Sequence, residues 1–145
     1  MPFPMHIRVS DFYYEREIQW GDVYWFDFGA VRGNQERTMA GPHPALVVSN
    51  PAVTLEGVVL IMPISSIEHK KQEYRFHVPL GKHECRGLEN DSFVQADRIY
   101  SVTVHNNLPD QFYLGHLDYQ VMRRIFNQLM LVLNFDGLRK ALSTS

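Results

Sequence analysis

The fold is most clearly indicated by three stretches of sequence: GDVYWFDF at residues 21–28, RGNQE at 32–36 and PHPALVVSN at 42–50. The first stretch is dense in valine and aromatic side chains, as β-strands are, and the apolar run after Pro44 predicts a second strand that this proline opens. Residues 29–42 carry three glycines and predict a long loop between the two strands. Loops of this length without structure of their own are often functional.

The rest of the chain predicts further short strands separated by turns. A turn signal at Asn50-Pro51 precedes residues 57–62, a continuous apolar run typical of a strand buried on both faces. Apolar and polar side chains alternate over residues 74–78, which predicts a strand with one face in water. Residues 92–104 predict one bent strand or two short ones, with the break near Asp97-Arg98.

The hydrophobic period changes to that of a helix after Asp118, a candidate N-cap, and Gly137 is a candidate stop. One helical face carries apolar side chains at Val121, Ile125, Leu129, Val132 and Leu133. Three more apolar residues make the stripe wider than one core contact requires, namely Met122, Phe126 and Met130. A second buried contact, such as a dimer partner, would account for that width.

Several short strands followed by one helix predict a mainly β fold, a small barrel or curled sheet of antiparallel strands closed by a C-terminal helix. We assign residues 21–145 to this domain and residues 1–20 to an N-terminal extension. In the extension, Ser10-Asp11 could cap a short helix through Ile18. An irregular extension lying on the barrel is the alternative.

The composition indicates one globular domain. Of 145 residues, 45% are hydrophobic and 21% are charged, which is typical of a folded rather than a disordered chain. No segment approaches the run of about 18 apolar residues that a membrane span requires, and the N-terminus does not resemble a secretory signal. Cys85 is the only cysteine, so an internal disulfide is impossible and a cytoplasmic location is expected.

The net charge of −2 argues against a broad, non-specific nucleic-acid binder. The charge is unevenly distributed, however. Residues 29–82 carry six basic and four acidic side chains, and this segment, which contains the long loop, is the net-positive part of the chain. A small site for an anion is therefore allowed, whereas a long basic track is not supported.

The order of these motifs resembles the PemK/MazF family of ribonuclease toxins. The family pattern is Gly-Asp, a strand, an Arg-Gly-x-Glu/Gln loop and then Arg-Pro-x-Leu-Val-Val-Ser. The resemblance covers roughly residues 21–133, and it includes PISS at 63–66, where the family has Pro-Ile-Thr/Ser, and LENDS at 88–92. It implies an SH3-like barrel with appended helices that forms a homodimer. It also implies a toxin that cleaves single-stranded RNA (mRNA) without a metal ion and is opposed by a cognate antitoxin.

No cofactor or metal site is expected from the sequence. The chain has no phosphate-binding loop, no dinucleotide fingerprint and no nucleophile elbow. Its histidines and single cysteine lack the spacing of zinc ligands, so structural or surface roles are expected for His83, Cys85, His105 and His116. Without a metal, cleavage would use the 2′-hydroxyl of RNA as nucleophile and protein side chains for proton transfer, giving a 2′,3′-cyclic phosphate.

His43 is the leading catalytic candidate, because it occupies the position where the family usually has arginine. Its imidazole has an ordinary pKa of about 6.5, which suits proton transfer near neutral pH. A histidine cannot make the fork-shaped contact with phosphate that an arginine makes. The plain structural interpretation is an exposed histidine at the start of a strand in a degenerate site.

The remaining candidates are polar or basic side chains around the two expected strands. Ser65 stands where the family has the threonine or serine that contacts the phosphate, and its plain interpretation is an ordinary loop serine. Arg32 is the second candidate phosphate contact, and its plain interpretation is a solvated arginine on an exposed loop. Candidate RNA-binding residues are Asn34, Gln35, Arg37, Ser66, Lys70, Lys71 and Arg75. Most such clusters of basic and amide side chains are simply solvated.

Two other functions remain open at this point. The same fold family contains CcdB-type toxins that bind DNA gyrase without chemistry, and the RGNQE loop and Ser65 favour the nuclease over that binder. An inactive barrel kept as a binding module is the other alternative, since His43 replaces the usual arginine.

Overall fold

The computed structural model describes residues 8–30, 41–69 and 74–144, in which seven antiparallel strands form one curled sheet and helices follow at the C-terminal end. The predicted fold class, a mainly β barrel-like sheet with C-terminal helical structure, is confirmed. The strands are β1 (Asp22–Asp27), β2 (Pro42–Val47), β3 (Val58–Ser66), β4 (His77–Leu80), β5 (Ser92–Gln95), β6 (Tyr100–Thr103) and β7 (Tyr113–His116). The helices are α1 (Pro51–Thr54), α2 (Tyr119–Val132) and α3 (Phe135–Ser143).

The sheet is organised around β3. The strand order is β4-β5-β3-β2-β1-β7, and β6 also pairs with β3. Along its nine residues, β3 pairs with β6 from Val58 to Ile61, with β2 from Ile61 to Pro63 and with β5 from Ile64 to Ser66. β2 and β3 therefore pair no further than Pro63.

Each face of the sheet is covered by its own core, because successive side chains of a strand point to opposite faces. The helix-side face is covered by α2, and its buried residues include Val23, Leu46, Met62, Ile64, Val94, Val121, Met122 and Ile125. The N-terminal face is covered in part by the segment before β1, and its buried residues include Ile18, Tyr24, Phe26, Ala45, Val47, Val59, Ile61 and Phe112.

The segment before β1 lies on the barrel rather than forming the helix expected through Ile18. A 3₁₀ turn, Val9–Asp11, is its only helical element among residues 8–20. The Asp110 carboxylate accepts hydrogen bonds from the backbone N–H groups of Glu15 and Arg16 at 3.0–3.2 Å. A helix would direct those N–H groups to its own carbonyls, so the long-range contacts outweigh the local capping signal.

Several strand boundaries differ from the sequence predictions. β2 begins at Pro42 rather than Pro44, and residues 63–66 belong to β3 rather than following it. The strand expected at 74–78 corresponds to β4, which begins only at His77. Residues 74–77 form a turn instead, in which the His77 N–H donates a hydrogen bond to the Tyr74 carbonyl. The two short strands expected around Asp97-Arg98 are confirmed as β5 and β6.

The sequence analysis did not predict β7, which completes the sheet beside β1. It has four residues, includes Gly115 at a φ of +152°, and pairs with β1 across an irregular register between Val23 and Tyr24. A Cβ at Gly115 would lie 3.0 Å from the Cys85 Sγ, so close packing requires glycine here. A short strand interrupted by glycine has little of the pattern from which strands are predicted.

The C-terminal helix starts where it was predicted to start and ends earlier than predicted. The Asp118 side chain accepts a hydrogen bond from the Val121 N–H, as an N-cap does. The helix ends at Val132, because Asn134 adopts a left-handed φ of 59° and caps the next helix, in which Gly137 is an interior residue rather than a stop.

The apolar stripe of α2 is also narrower than predicted. Val121, Ile125 and Leu129 are buried, whereas Leu133 is 56% exposed and does not belong to the core face. Met122 is buried in the chain's own core, and the ring of Phe126 packs 5.4 Å from Trp20. In these two helices, exposed large apolar side chains lie mainly at the end of α2 and on α3, namely Met130, Leu131, Leu133, Phe135, Leu138 and Leu142.

Among the described residues, no helix combines the length and the apolarity needed to cross a bilayer. The division into an extension of residues 1–20 and a domain of residues 21–145 stays a prediction.

Candidate functional site

The two ends of the long loop meet beside His43. The Phe28 N–H donates to the Gly41 carbonyl at 2.9 Å, and the Asp27 carboxylate accepts from the Gly29 N–H at 3.0 Å. Gly41 has a φ of +77°, a conformation that glycine adopts readily. The loop therefore begins and ends at the point where β1 and β2 are paired, next to His43.

His43 lies on β2, half-buried, between two prolines that belong to the strand. Residues 42–44 pair with β1, whereas pairing with β3 starts only at Ala45. Prolines are tolerated in a strand where no ladder hydrogen bond is required of them, which explains why this segment can be extended and proline-rich. His43 pairs with Phe26, and its ring centroid lies 6.3 Å from that of buried Phe28.

Ser65 shares the N-terminal face of the sheet with His43. Ala45 pairs with Pro63, and His43 and Ser65 each lie two residues further along their strands, so strand alternation directs both side chains to that face. Ser65 is a buried strand residue, not the loop residue considered above, and its Oγ accepts a hydrogen bond from the Gln95 Nε2 at 3.1 Å. The serine hydroxyl is thus held in place by a neighbouring strand.

Ser66 lies on the opposite, helix-side face. It alternates with Ser65, and its hydroxyl accepts from the Glu68 N–H at 3.3 Å. A cavity of about 220 Å³ opens there between the start of β2 and the loop before β5, and it is lined by residues that include Trp25, Pro44, Ser66, Leu88 and Asn90. His43 also borders this cavity, so it lies near Ser66 while its own strand position places it on the face of Ser65.

Arg32, the second candidate phosphate contact, lies outside the described residues, and so do most of the predicted RNA-binding residues, namely Asn34, Gln35, Arg37, Lys70 and Lys71. Arg75 is described and exposed, and its guanidinium carbon lies 5.5 Å from the centre of the Phe76 ring. Among the predicted residues that the structure describes, His43 and Ser65 share one face, Ser66 lies across the sheet, and Arg75 lies on the turn before β4.

Sequence reasoning missed three residues around His43 and Ser65. Gln95 holds the serine hydroxyl, Phe93 pairs with Ser65 across β3 and β5, and Phe28 packs near His43. A glutamine at an alternating position of a β-strand is uncommon and could have signalled a buried polar contact. Its partner could not be named without the register of β3 and β5.

A second polar cluster joins β1, β7 and the N-terminal segment. The fully buried Asp22 carboxylate contacts the Nδ1 of His116 at 2.9 Å and an Arg16 guanidinium nitrogen at 3.4 Å, and it accepts from the Gln19 N–H at 2.8 Å. The Arg16 guanidinium carbon also lies 3.5 Å from the centre of the Tyr113 ring. Burial raises the pKa of the Tyr113 hydroxyl, and the positive charge of Arg16 offsets part of that rise.

The other histidines and the cysteine were predicted to be structural or on the surface. His83 and His105 are exposed, and Cys85 is buried at 1% exposure, where burial raises the pKa of its thiol. In residues 8–30, 41–69 and 74–144, no three histidine, cysteine, aspartate or glutamate side chains are grouped as metal ligands would be.

A family model described as the PemK-like, MazF-like toxin of type II toxin–antitoxin systems matches residues 19–133. The match includes β1, His43, Ser65 and the whole of α2, and it ends before α3. No curated protein sequence matches the chain.

Solved structures of MazF-type proteins share the fold. MazF from Deinococcus radiodurans superposes with a TM-score of 0.64 at 22% identity, over 83% of this chain and 100% of that one. An endoribonuclease from a mycobacterial species, in complex with its cognate antitoxin, gives 0.62 at 24% identity, over 81% and 96%. The Mycobacterium tuberculosis toxin MazF-mt6 gives 0.58 at 14% identity, over 78% and 96%.

Proposed function

Because the chain belongs to the PemK-like, MazF-like family of type II toxin–antitoxin toxins, we propose that it is a toxin that cleaves single-stranded mRNA in the cytoplasm. Membership in this family implies endoribonuclease activity in general. The observation that supports a site for this activity is the placement of His43 and Ser65 on one face of the sheet, where β2 and β3 separate and the long loop begins and ends.

The proposed reaction uses no metal ion. The 2′-oxygen of RNA attacks the adjacent phosphorus, the bond to the 5′-oxygen breaks, and the products are a 2′,3′-cyclic phosphate and a 5′-hydroxyl. A base must accept the 2′-hydroxyl proton and an acid must protonate the leaving oxygen, and His43 is the proposed group for proton transfer. The backbone of His43 is restrained by its flanking prolines, which favours a constant position for the imidazole.

Ser65 and Arg32 are the proposed contacts to the scissile phosphate. A hydroxyl that accepts from Gln95 can direct its own proton to a phosphoryl oxygen, where charge accumulates in the transition state. Asn34, Gln35, Arg37, Lys70, Lys71 and Arg75 are the proposed contacts to the rest of the RNA. Ser66 remains a candidate RNA contact through the helix-side cavity that His43 also borders, although its side chain lies on the opposite face from that of Ser65.

We also propose a homodimer and a cognate antitoxin as partners. The family is one of toxins from toxin–antitoxin pairs, and similar solved structures include MazE–MazF of Deinococcus radiodurans. The exposed apolar side chains at the end of α2 and on α3, among them Leu133, Phe135 and Leu138, give the chain apolar surface of the kind that interfaces bury. Monomeric proteins rarely leave such side chains grouped in water.

The experiment that tests the function is incubation of the purified protein with a long single-stranded RNA, with and without EDTA. Cleavage that persists in EDTA and leaves 2′,3′-cyclic phosphate ends is the expected result. A matched substrate with 2′-deoxyribose at the scissile nucleotide should resist cleavage, because its nucleophile is absent. Activity that EDTA abolishes and magnesium restores would contradict the mechanism, and no cleavage of any RNA would leave a binding module as the function.

A further inference from the structure

A row of three aromatic rings lies beside the candidate phosphate contact. The rings of His77 and Phe93 are stacked, parallel within 16° and with centroids 4.6 Å apart, and the ring of Tyr74 follows at 4.7 Å from His77, tilted by 44°. The turn before β4 sets this order, since the His77 N–H donates to the Tyr74 carbonyl at 3.2 Å. We call Tyr74 and His77 the stacking platform.

The stacking platform shares its sheet face with Ser65. Ser65 pairs with Phe93 on β5, and Gln95, two residues along β5, pairs with His77 on β4. Paired residues and residues two apart point to the same face, so Ser65, Phe93, Gln95 and His77 lie side by side across three adjacent strands. The Gln95 side chain confirms this arrangement, because it reaches the Ser65 hydroxyl at 3.1 Å.

Exposure increases from the inner ring to the outer one. Phe93 is 5% exposed, His77 is half-buried, and Tyr74 is 47% exposed at the end of the row. An aromatic ring fixed by a turn and open to water offers a flat surface at little entropic cost. The adjacent Arg75 is exposed and adds a positive charge for a polyanion.

We propose that the stacking platform binds a nucleobase of single-stranded RNA, next to the phosphate held at Ser65. This inference rests on the proposed function, since it places the base relative to the scissile phosphate. A base of single-stranded RNA is available for stacking on an aromatic ring, whereas a base in a duplex is already stacked. Each base–aromatic contact of this kind contributes about 1–3 kcal/mol and is tolerant of sequence. Tyr74 therefore contributes to the affinity for RNA that carries bases and does not contribute to the affinity for a sugar–phosphate backbone without bases.

The test compares two uncleavable probes, a fluorescent mixed-sequence 2′-O-methyl RNA and an abasic oligomer with the same backbone. Tyr74→Leu should weaken binding of the first probe by about 5- to 100-fold and leave binding of the abasic oligomer unchanged. Tyr74→Phe should retain most of the affinity, because it keeps the ring. Tyr119→Leu is the matched control, since Tyr119 is an exposed tyrosine on α2 away from this face.

Two outcomes would overturn the platform. Equal losses on both probes would show a charge or folding effect instead of stacking, and unchanged binding of the base-containing probe would remove Tyr74 from the RNA site. If the wild type cleaves RNA while either outcome is seen, this inference fails and the proposed function stands. If the wild type neither binds nor cleaves RNA, both fail together.

Discussion

Replacing Asp22 tests whether one buried carboxylate holds the N-terminal segment against the barrel. Asp22 is fully buried and accepts from the Gln19 N–H, while contacting His116 and Arg16 at 2.9 and 3.4 Å. In Asp22→Ala, the Gln19 N–H loses its acceptor, and the Arg16 guanidinium and the His116 ring lose their partner.

The expected loss follows from how exposed each partner is. Breaking a fully buried ion pair costs about 3–5 kcal/mol, and an unsatisfied buried donor costs about 1–3 kcal/mol. The side chains of Arg16 and His116 are 34% and 43% exposed, so both can be rehydrated and the ionic contribution is reduced. We therefore expect Asp22→Ala to lower the free energy of unfolding by about 2–4 kcal/mol, most of it from the Gln19 donor and the partly buried charges.

The assay is urea denaturation with thermal melts, where a loss of this size lowers Tm by about 5–15 °C for a chain of this length. Asp22→Asn keeps an acceptor for Gln19 and should lose less than half as much. Asp97→Ala, at an exposed aspartate, is the matched control and should change the free energy of unfolding by less than about 0.5 kcal/mol. An Asp22→Ala variant as stable as this control would refute the assignment of Asp22 as the residue that holds the segment.

Further predictions concern activity, reactivity, pH and assembly. His43→Ala should slow RNA cleavage by about 10²- to 10⁴-fold without lowering Tm, and an unchanged rate would remove His43 from the site. His43→Arg should keep activity if this position binds phosphate, and it should lose activity if this position transfers a proton. Cys85, whose thiol pKa is raised by burial, should resist iodoacetamide at pH 8 in the folded protein and react fully in urea, as followed by mass spectrometry. The hydrogen bond from Arg124 lowers the pKa of Glu84, so the stability that Glu84 contributes is present above its unfolded pKa of about 4.3 and is lost as pH falls through the folded pKa. Glu84→Gln should therefore lower Tm at pH 7, and this effect should shrink as the pH is lowered below about 4. Equal shifts in Tm at pH 7 and at acidic pH would contradict this. Light scattering at micromolar concentration should give twice the mass of one chain, and a stable monomer would contradict the homodimer.

Local sequence patterns predicted the elements whose signals are contained in a few neighbouring residues. β1, the two short strands on either side of residues 97–98 and the start of α2 at Asp118 all appear as expected. Some boundaries shifted because a competing signal lies nearby. Gly137 illustrates this, because a left-handed Asn134 three residues earlier already ends α2 and starts α3.

From the sequence alone came the fold class, the resemblance to the family and the choice of His43 and Ser65, on which the proposed site depends. These inferences rest on side-chain type and order along the chain, so they do not depend on how the strands pair. The strand register was needed to show that His43 and Ser65 face the same way while Ser66 faces the opposite side, because a register fixes which side of a sheet each residue occupies. It was also needed to place Gln95 beside Ser65, which lies 30 residues earlier in the chain, and the His77 ring against Phe93 on the neighbouring strand.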